Sequence, residues 1–394
     1  MDYFQRALNI VDKGREGLNG GIPFNIAAMD YYISGVQPSQ YVLVGGETGT
    51  GKTAFVDSSF VLNPVSFILD FRKDPQKYMN AGYALSENTD YLIYYYSFEI
   101  GVEKKILKWI THFMWLNYGI VTHYKYVISR GKNRISEEHY QLVLQARGFI
   151  DQILSRIHFI DRAKNPTGIK SDITGLMNRN GKTVKHERIV QGEKMDVYEY
   201  IPNNPNLIVN VIIDHVGLMS IESESSGGQR LTKKQNIDRM SQYAIELRNL
   251  YGASFTFISQ FNREIADMNR QRYSDLQPQL NDFKDTGNMS EDAEIVLAGF
   301  NPMNYNIKEY LGYDMIGPTG IGARSRYYVI LKNRDGEANV RFGLNFLGET
   351  GYFRDLASTG SARNTEVVNY INQFKHEQPR GFRISDAGIA TTES

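Results

Sequence analysis

The sequence predicts an α/β fold, with a mostly parallel central sheet covered by helices on both faces. Three observations lead there. Apolar runs of strand length alternate with helix-length amphipathic runs along most of the 394 residues. The run Tyr41-Val42-Leu43-Val44 is apolar throughout, as a strand buried on both faces requires. Gly46-Glu47-Thr48-Gly49-Thr50-Gly51-Lys52-Thr53 follows at once and fits the phosphate-binding pattern G-x-x-x-x-G-K-[ST], which sits between a strand and a helix.

The elements follow in order. Residues 2–17 carry Phe4, Leu8, Ile10 and Val11 at near-helical spacing, which predicts a short amphipathic helix. Gly17-Leu18-Asn19-Gly20-Gly21 breaks it, leaving open whether it is a detached arm or packs on its own domain. A helix starts over Thr53 to Val61. Pro64, Pro75 and Gly82 predict a loop-rich insertion over 62–90. Tyr91 to Ser97 reads as a buried strand, Val102 to Trp115 as a helix, and 136–157 as a helix opened by Ser136-Glu137-Glu138. Ile157 to Asp161 is a short strand. Residues 182–201 alternate in period two around Gln191-Gly192-Glu193, predicting an inserted hairpin. Leu207 to Ile213 is the most apolar strand. A Ser/Gly/Lys-rich loop over 223–236 precedes a helix from Asn236 to Leu250, and Ser254 to Ile258 and Arg326 to Lys332 are further strands. Beyond Leu356 the chain turns polar, with a last helix expected over Glu366 to Phe374. The expected organisation is an arm over 1–20, one nucleotide-binding domain over 21–357 and a tail over 358–394. No internal repeat interrupts it.

Composition excludes several classes. Lys+Arg and Asp+Glu are both 44, so the chain is no polycation. Cysteine is absent, which removes disulfides and thiolate metal sites, and the seven histidines show no H-E-x-x-H spacing. No apolar run reaches membrane-spanning length, and Met1 to Arg6 carries no signal-peptide core, so a soluble, cytoplasmic protein with no membrane partner is expected.

The chemistry centres on the phosphate pattern, whose four specified positions recur by chance in roughly one chain per hundred of this length. A Gly-rich turn is the alternative. In the functional reading Gly46, Glu47, Thr48, Gly49, Thr50 and Gly51 turn backbone N–H groups around phosphates, with Lys52, Thr53 and Ala54 completing the cradle. Lys52 adds a point charge, and Thr53 offers its hydroxyl to Mg²⁺. Val211-Ile212-Ile213-Asp214 is an apolar strand ending in a carboxylate, suited to Mg²⁺ or to capping a turn. Glu99, at the end of Tyr96-Ser97-Phe98-Glu99, could orient water beside the phosphate loop or stabilise a helix start. Gln260, ending Phe257-Ile258-Ser259-Gln260, could bridge γ-phosphate and a moving loop.

These segments, in this order through most of residues 2–357, resemble the ATPase domain of DnaB-type replicative helicases, in the RecA-like superfamily. Ile22-Pro23-Phe24-Asn25 and Gly35-Val36-Gln37-Pro38 resemble that family's approach to its phosphate loop. Ser97-Phe98-Glu99-Ile100 resembles S-[LF]-E-M, implying Glu99 as catalytic glutamate. Ile213-Asp214-His215-Val216-Gly217-Leu218-Met219 resembles I-D-Y-L-Q-L-M, implying Asp214 on the metal side. Ser259-Gln260-Phe261-Asn262-Arg263 resembles S-Q-L-N-R, with Gln260 as sensor. Leu280 to Gly287 resembles L-S-D-L-R-E-S-G, implying a loop on the DNA backbone that includes Lys284, Asp285 and Gly287, and Glu291 to Glu294 continue the likeness. Lys332-Asn333-Arg334-Asp335-Gly336 resembles K-x-R-x-G, whose two cations reach the neighbouring subunit's ATP; alone, they read as a solvated pair. Phe346-Leu347-Gly348-Glu349 resembles the closing strand. Arg230, Lys233 and Lys234 stand where a second DNA-facing loop is expected, though short basic loops are common.

The resemblance implies an ATP- and Mg²⁺-dependent helicase that rings single-stranded DNA as a homo-oligomer, a hexamer, with residues 2–17 docked on the neighbour. A primase or a loader is a candidate partner. The departures expected from the resemblance are the absence of the family's N-terminal helical domain ahead of residues 2–17, His215 for an aromatic, Lys284 and Asp285 for Arg and Glu, and the extra segments at 62–90 and 182–201. A compact chain with 26 tyrosines and no cysteine would suit a phage-encoded protein working in host cytoplasm. A recombinase-like, filament-forming ATPase and a DNA-independent, nucleotide-gated assembly protein are the alternative functions.

Overall fold

In the computed structural model the residues described are 3–83, 85–130, 134–190, 193–223, 230–262, 265, 270, 276–286, 288–317, 320–361, 364 and 366. The strands are β1 (Tyr41–Gly46), β2 (Asp90–Ser97), β3 (Ile157–Ile160), β4 (Gly181–Val190), β5 (Glu193–Pro202), β6 (Leu207–Asp214) and β7 (Ser254–Ile258). They continue with β8 (Ile295–Phe300), β9 (Glu309–Tyr310), β10 (Tyr313–Asp314), β11 (Ser325–Asn333), β12 (Val340–Leu347) and β13 (Tyr352–Asp355). Nine of them form one sheet in the order β13-β12-β11-β8-β1-β7-β6-β2-β3. From β8 to β3 every pairing is parallel; β11, β12 and β13 extend the sheet antiparallel.

Side-chain alternation divides the core. Along β1, Val42 and Val44 face one layer, built with Phe55, Phe60, Val61, Trp109 and Ile153 from helices Lys52–Phe71, Val102–Tyr118 and Glu137–Leu154. Tyr41 and Leu43 face the other, built with Ile169, Ile173, Met240 and Ala244 from helices Pro166–Arg179 and Lys233–Tyr251. Both faces are therefore covered. Against the expectation that no apolar run reaches membrane-spanning length, helix Lys52–Phe71 is long and apolar enough to cross a membrane, but 67% of its apolar window is buried inside the protein, which explains its composition.

Several expectations are met with small shifts. Ser136 caps its helix by accepting from His139 N–H at 3.2 Å. The hairpin is β4 paired with β5, its turn at 191–192 lying outside the described residues. The N-terminal helix spans Tyr3–Arg15 with Phe4, Ile10 and Val11 72%, 63% and 56% exposed, so its apolar stripe is not covered by its own domain.

Others are corrected. The segment 62–90 is largely helical, because Pro64 falls just after a π-helical turn, Asp57–Leu62, where the ordinary i→i−4 ladder is already displaced. Pro75 opens the helix Pro75–Asn80 at its first position, where no N–H is required. The helix expected from Asn236 begins at Lys233, since Thr232 and Gln235 form a capping box. Helix Pro166–Arg179 and strands β8 and β13 were not anticipated. The expected last helix, 366–374, lies outside the described residues apart from Glu366.

His112, on helix Val102–Tyr118, is buried against Tyr352 of β13, and burial pushes its imidazole down to about 4. An unfolded chain binds its proton near pH 6.5. Stability attributable to this residue is therefore complete above pH 6.5 and lost as pH falls toward 4. Urea titrations across that window should show wild type losing about 3 kcal/mol more than His112→Leu.

Candidate active site

The parallel register sets one row across the sheet: Ser97 pairs with Asp214, Asp214 with Ile258, Ile258 with Val44, and Val44 with Leu297. Glu99, Asp214, Gln260 and the loop after Gly46 all leave their strands at this same carboxyl end, the place where ligands bind in open α/β sheets. β2 is not the immediate neighbour of β1, because β7 and β6 lie between them. Glu99 therefore faces the phosphate loop across two strands rather than from beside it. It is exposed, and its charge still reaches Lys52.

The loop is held by its own backbone. Thr50 donates from its N–H and its hydroxyl to Glu47 O, at 3.3 and 2.8 Å. Gly51 has φ +87°, and a Cβ there would come within 2.9 Å of the Phe346 ring, so both conformation and space demand glycine. Lys52 Nζ donates to Gly46 O and Glu47 O, each at 2.8 Å, laying its cation across the loop. Burial lowers the Lys52 pKa to about 8, while the charges of Glu99, Asp214 and Glu47 oppose that shift. The Glu47 carboxylate is drawn sideways, accepting from Tyr305 OH at 2.7 Å and Asn304 Nδ2 at 3.4 Å. Gln260 Nε2 donates to Thr48 Oγ1 at 2.7 Å, so the amide already touches the loop.

Thr53 Oγ1 donates to Asp214 Oδ1 at 3.2 Å, and Asp214 is fully buried. Burial raises the Asp214 carboxyl pKa; Lys105 opposes this, Asp57 and Glu99 add to it, and the Thr53 hydrogen bond opposes it. Mg²⁺ uses one or two carboxylates beside phosphate oxygens and keeps most of its waters. A Thr hydroxyl paired with a buried Asp fits it, and no cage of three or more acidic or histidine ligands appears among the described residues. His215 accepts from Gly217 N–H at 2.9 Å through Nδ1, and burial lowers its pKa.

Behind the loop a backbone series runs outward. Phe261 N–H donates to Gly46 O at 3.2 Å and Asn262 N–H to Asp282 O at 2.9 Å. Phe283 is fully buried edge-on to Phe261, so close to β1 that a Cβ on Gly45 would stand 2.1 Å from its ring. The next residues, Lys284 and Asp285, belong to the 3₁₀ turn Leu280–Thr286, while their side chains, together with Gly287 and Arg263, lie outside the described residues.

The remaining candidate residues are placed elsewhere. Lys332 and Arg334 leave β11, which runs antiparallel to β8, at the amino end of the parallel strands: Asn333 pairs with Ile295, the partner of Val42. That is about 13 Å of strand away from the level of Gly46. Lys332 Nζ donates to Ser290 O and Glu291 O at 3.2 and 2.6 Å, and Arg334 donates to Glu291 O at 3.0 Å. Both cations therefore gather at one point, at the end opposite their own phosphate loop. Arg230 pairs with Ser223 in a short bridge closing the base of the 224–229 segment. Lys233 and Lys234 are not loop residues; they form the first turn of helix Lys233–Tyr251.

Sequence reasoning missed Asp57, Tyr95 and Lys105, which form a buried cluster behind Asp214. The available signal was a charged residue on an otherwise apolar helix face, at both Asp57 and Lys105.

The model of the DnaB-like helicase C-terminal domain matches residues 157–355, about half of the chain. The chain belongs to this family. The matched segment contains Asp214, Gln260, Lys332 and Arg334, while the phosphate loop and Glu99 precede it. Among solved structures, an isolated ATPase domain superposes with a TM-score of 0.63 at 18% identity, covering 91% of this chain and 100% of that one. A DnaB-like replicative helicase, described with its interactions with primase, superposes at 0.60 and 20% identity, covering 89% and 68%. At these identities the two show a shared fold. No curated protein matches the chain.

Gly51→Ala should cost about 1–2 kcal/mol from its left-handed conformation alone, before any displacement of Phe346. The expected result is a lower melting temperature together with weakened binding of a fluorescent nucleotide.

Proposed function

We propose that this DnaB-like helicase domain hydrolyses ATP at an interface between copies of itself and uses the cycle to move along single-stranded DNA within a ring, a hexamer. The observation that carries the reading is the shared row of strand ends. It brings Lys52, Thr53, Asp214, Gln260 and Glu99 to one end of the sheet, whereas Lys332 and Arg334 emerge at the other. Fixed cations that face away from their own phosphate loop are suited to a neighbour's.

In this reading the loop N–H groups and Lys52 bind the phosphates, and Thr53 with Asp214 would hold Mg²⁺, which neutralises phosphate charge when bound. Glu99 orients a water and accepts its proton as the water oxygen bonds to the γ-phosphorus and the bond to the β,γ-bridging oxygen breaks. Lys332 and Arg334 stabilise the charge on the adjacent subunit's phosphoryl group. A cation supplied this way is worth roughly 10³–10⁵ in rate. Gln260 changes partner from Thr48 to the γ-phosphate, and the backbone series through Asn262 and Asp282 carries that change to the turn holding Lys284. Lys284, Asp285 and Gly287, with Arg230, Lys233 and Lys234, form the proposed DNA-facing set. Binding through phosphates should be weak in sequence preference and sensitive to salt. The exposed stripe of helix Tyr3–Arg15 is the proposed clasp on the next subunit. A primase or a loader is a proposed partner.

Steady-state ATP hydrolysis with and without single-stranded DNA tests this. DNA should stimulate turnover several-fold, and Lys52→Ala and Arg334→Ala should each abolish it. Mixing the two variants should restore part of the activity, because hybrid interfaces pair an intact loop with an intact Arg334. Turnover indifferent to DNA in a protein that still assembles with ATP would replace the motor with a nucleotide-gated scaffold.

A further inference from the structure

Directly behind Asp214 lies a cluster of buried charge that no step above uses. Lys105, on the helix that follows Glu99, is fully buried. Its ammonium donates to both carboxylate oxygens of Asp57, at 2.9 and 3.0 Å, and to the Tyr95 hydroxyl at 2.8 Å. Tyr95 donates in turn to Asp57 Oδ1 at 2.8 Å, and the Trp109 indole N–H donates to Oδ2 at 3.2 Å. The same ammonium stands 3.7 Å from Asp214 Oδ2, within ion-pairing range but beyond hydrogen-bonding distance, and the Tyr95 hydroxyl stands 3.4 Å from that same oxygen. An ammonium has three donors, and Asp57 and Tyr95 occupy all of them.

Stability does not account for this pair, because desolvating two charges offsets most of their attraction. Its placement is more informative. Asp57 opens the π-helical turn Asp57–Leu62, a rare geometry that occurs frequently at functional sites. The pair also joins the helix after the phosphate loop to the helix after Glu99, with Asp214 between them.

We propose that Asp57 is a positioning residue for the metal side of the nucleotide site: it takes the Lys105 hydrogen bonds and keeps that ammonium from bonding Asp214 directly, leaving Asp214 Oδ1 to Thr53 and Mg²⁺. Without Asp57, the nearest anion to Lys105 is Asp214, and closing the 3.7 Å gap to a hydrogen-bonded ion pair would compete with the metal for the same charge. The inference rests on the assignment of Asp214 to Mg²⁺.

The test is equilibrium binding of a fluorescent, non-hydrolysable ATP analogue in Mg²⁺ and in EDTA; the ratio of the two affinities is the Mg²⁺ enhancement. Asp57→Asn preserves shape and removes the charge. It should reduce the enhancement about tenfold or more, with affinity in EDTA unchanged. Asp57→Asn/Lys105→Met, which removes the competing cation as well, should recover the enhancement to within about threefold of wild type, the recovery being the coupling between the two residues. A purely structural role predicts no such recovery. An Asp57→Asn protein with the wild-type enhancement overturns the proposal, and so does a double variant that fails to recover. Asp214→Asn separates the two layers: if it too keeps the wild-type enhancement, Asp214 does not serve the metal and both readings fall. Should Asp57→Asn fail to fold by circular dichroism, Asp57→Ser carries the same comparison, with the same outcomes.

Discussion

The parallel pairing of β2, β6, β7 and β1 is the constraint on which the rest of this structure depends. Parallel strands end at one level, so four chain segments far apart in sequence deliver Glu99, Asp214, Gln260 and the phosphate loop to one place. β11 enters antiparallel beside β8, and this single reversal sends Lys332 and Arg334 to the other end. The sheet thus has a nucleotide end and a cationic end. In the proposed assembly these two ends would meet head to tail, the arrangement that closes into rings when the rotation between copies allows it.

The links between the loop after β1 and the turn over Leu280–Thr286 are short-range and mostly backbone. Gln260 touches Thr48, the next residue donates to Gly46, and the one after that donates to Asp282. Phe283 then returns to lie flush on β1 at Gly45. A close-packed ring against a strand passes displacement on rather than absorbing it, because protein interiors have little free volume. The turn over Leu280–Thr286 is therefore tied to the phosphate loop both by hydrogen bonds and by packing.

The electrostatic design is layered in the same way. Lys52 lies across the loop after β1, Asp214 lies beneath it with Thr53, and Lys105 with Asp57 lies beneath that. Opposite charges alternate with depth, so each of these groups meets a counter-charge or donor and none of them is left unpaired in a low-dielectric interior.

Much of the site could be read from the chain alone, because its parts are local. The strand–loop–helix around Lys52, the acid at the end of Leu207–Asp214 and the amide after Ser254–Ile258 each need only a few consecutive residues with the right periodicity, and the order of these segments pointed to the family. What the chain could not state was which strands are neighbours. Glu99 was expected beside the phosphate loop and stands two strands away, since strand order is decided by helix crossovers and not by sequence proximity. Pro64 looked like a breaker, yet a helix runs through it, because its missing N–H falls after a π turn that only packing reveals. Asp57 and Lys105 were not singled out in the sequence; their meaning lies in a contact spanning 48 residues. The sequence by itself determined which residue types stand at each strand end, since dihedral preference, periodicity and residue type act within a few positions. The tertiary structure alone decided which ends meet and which charges are paired, since register and burial are properties of the packed sheet.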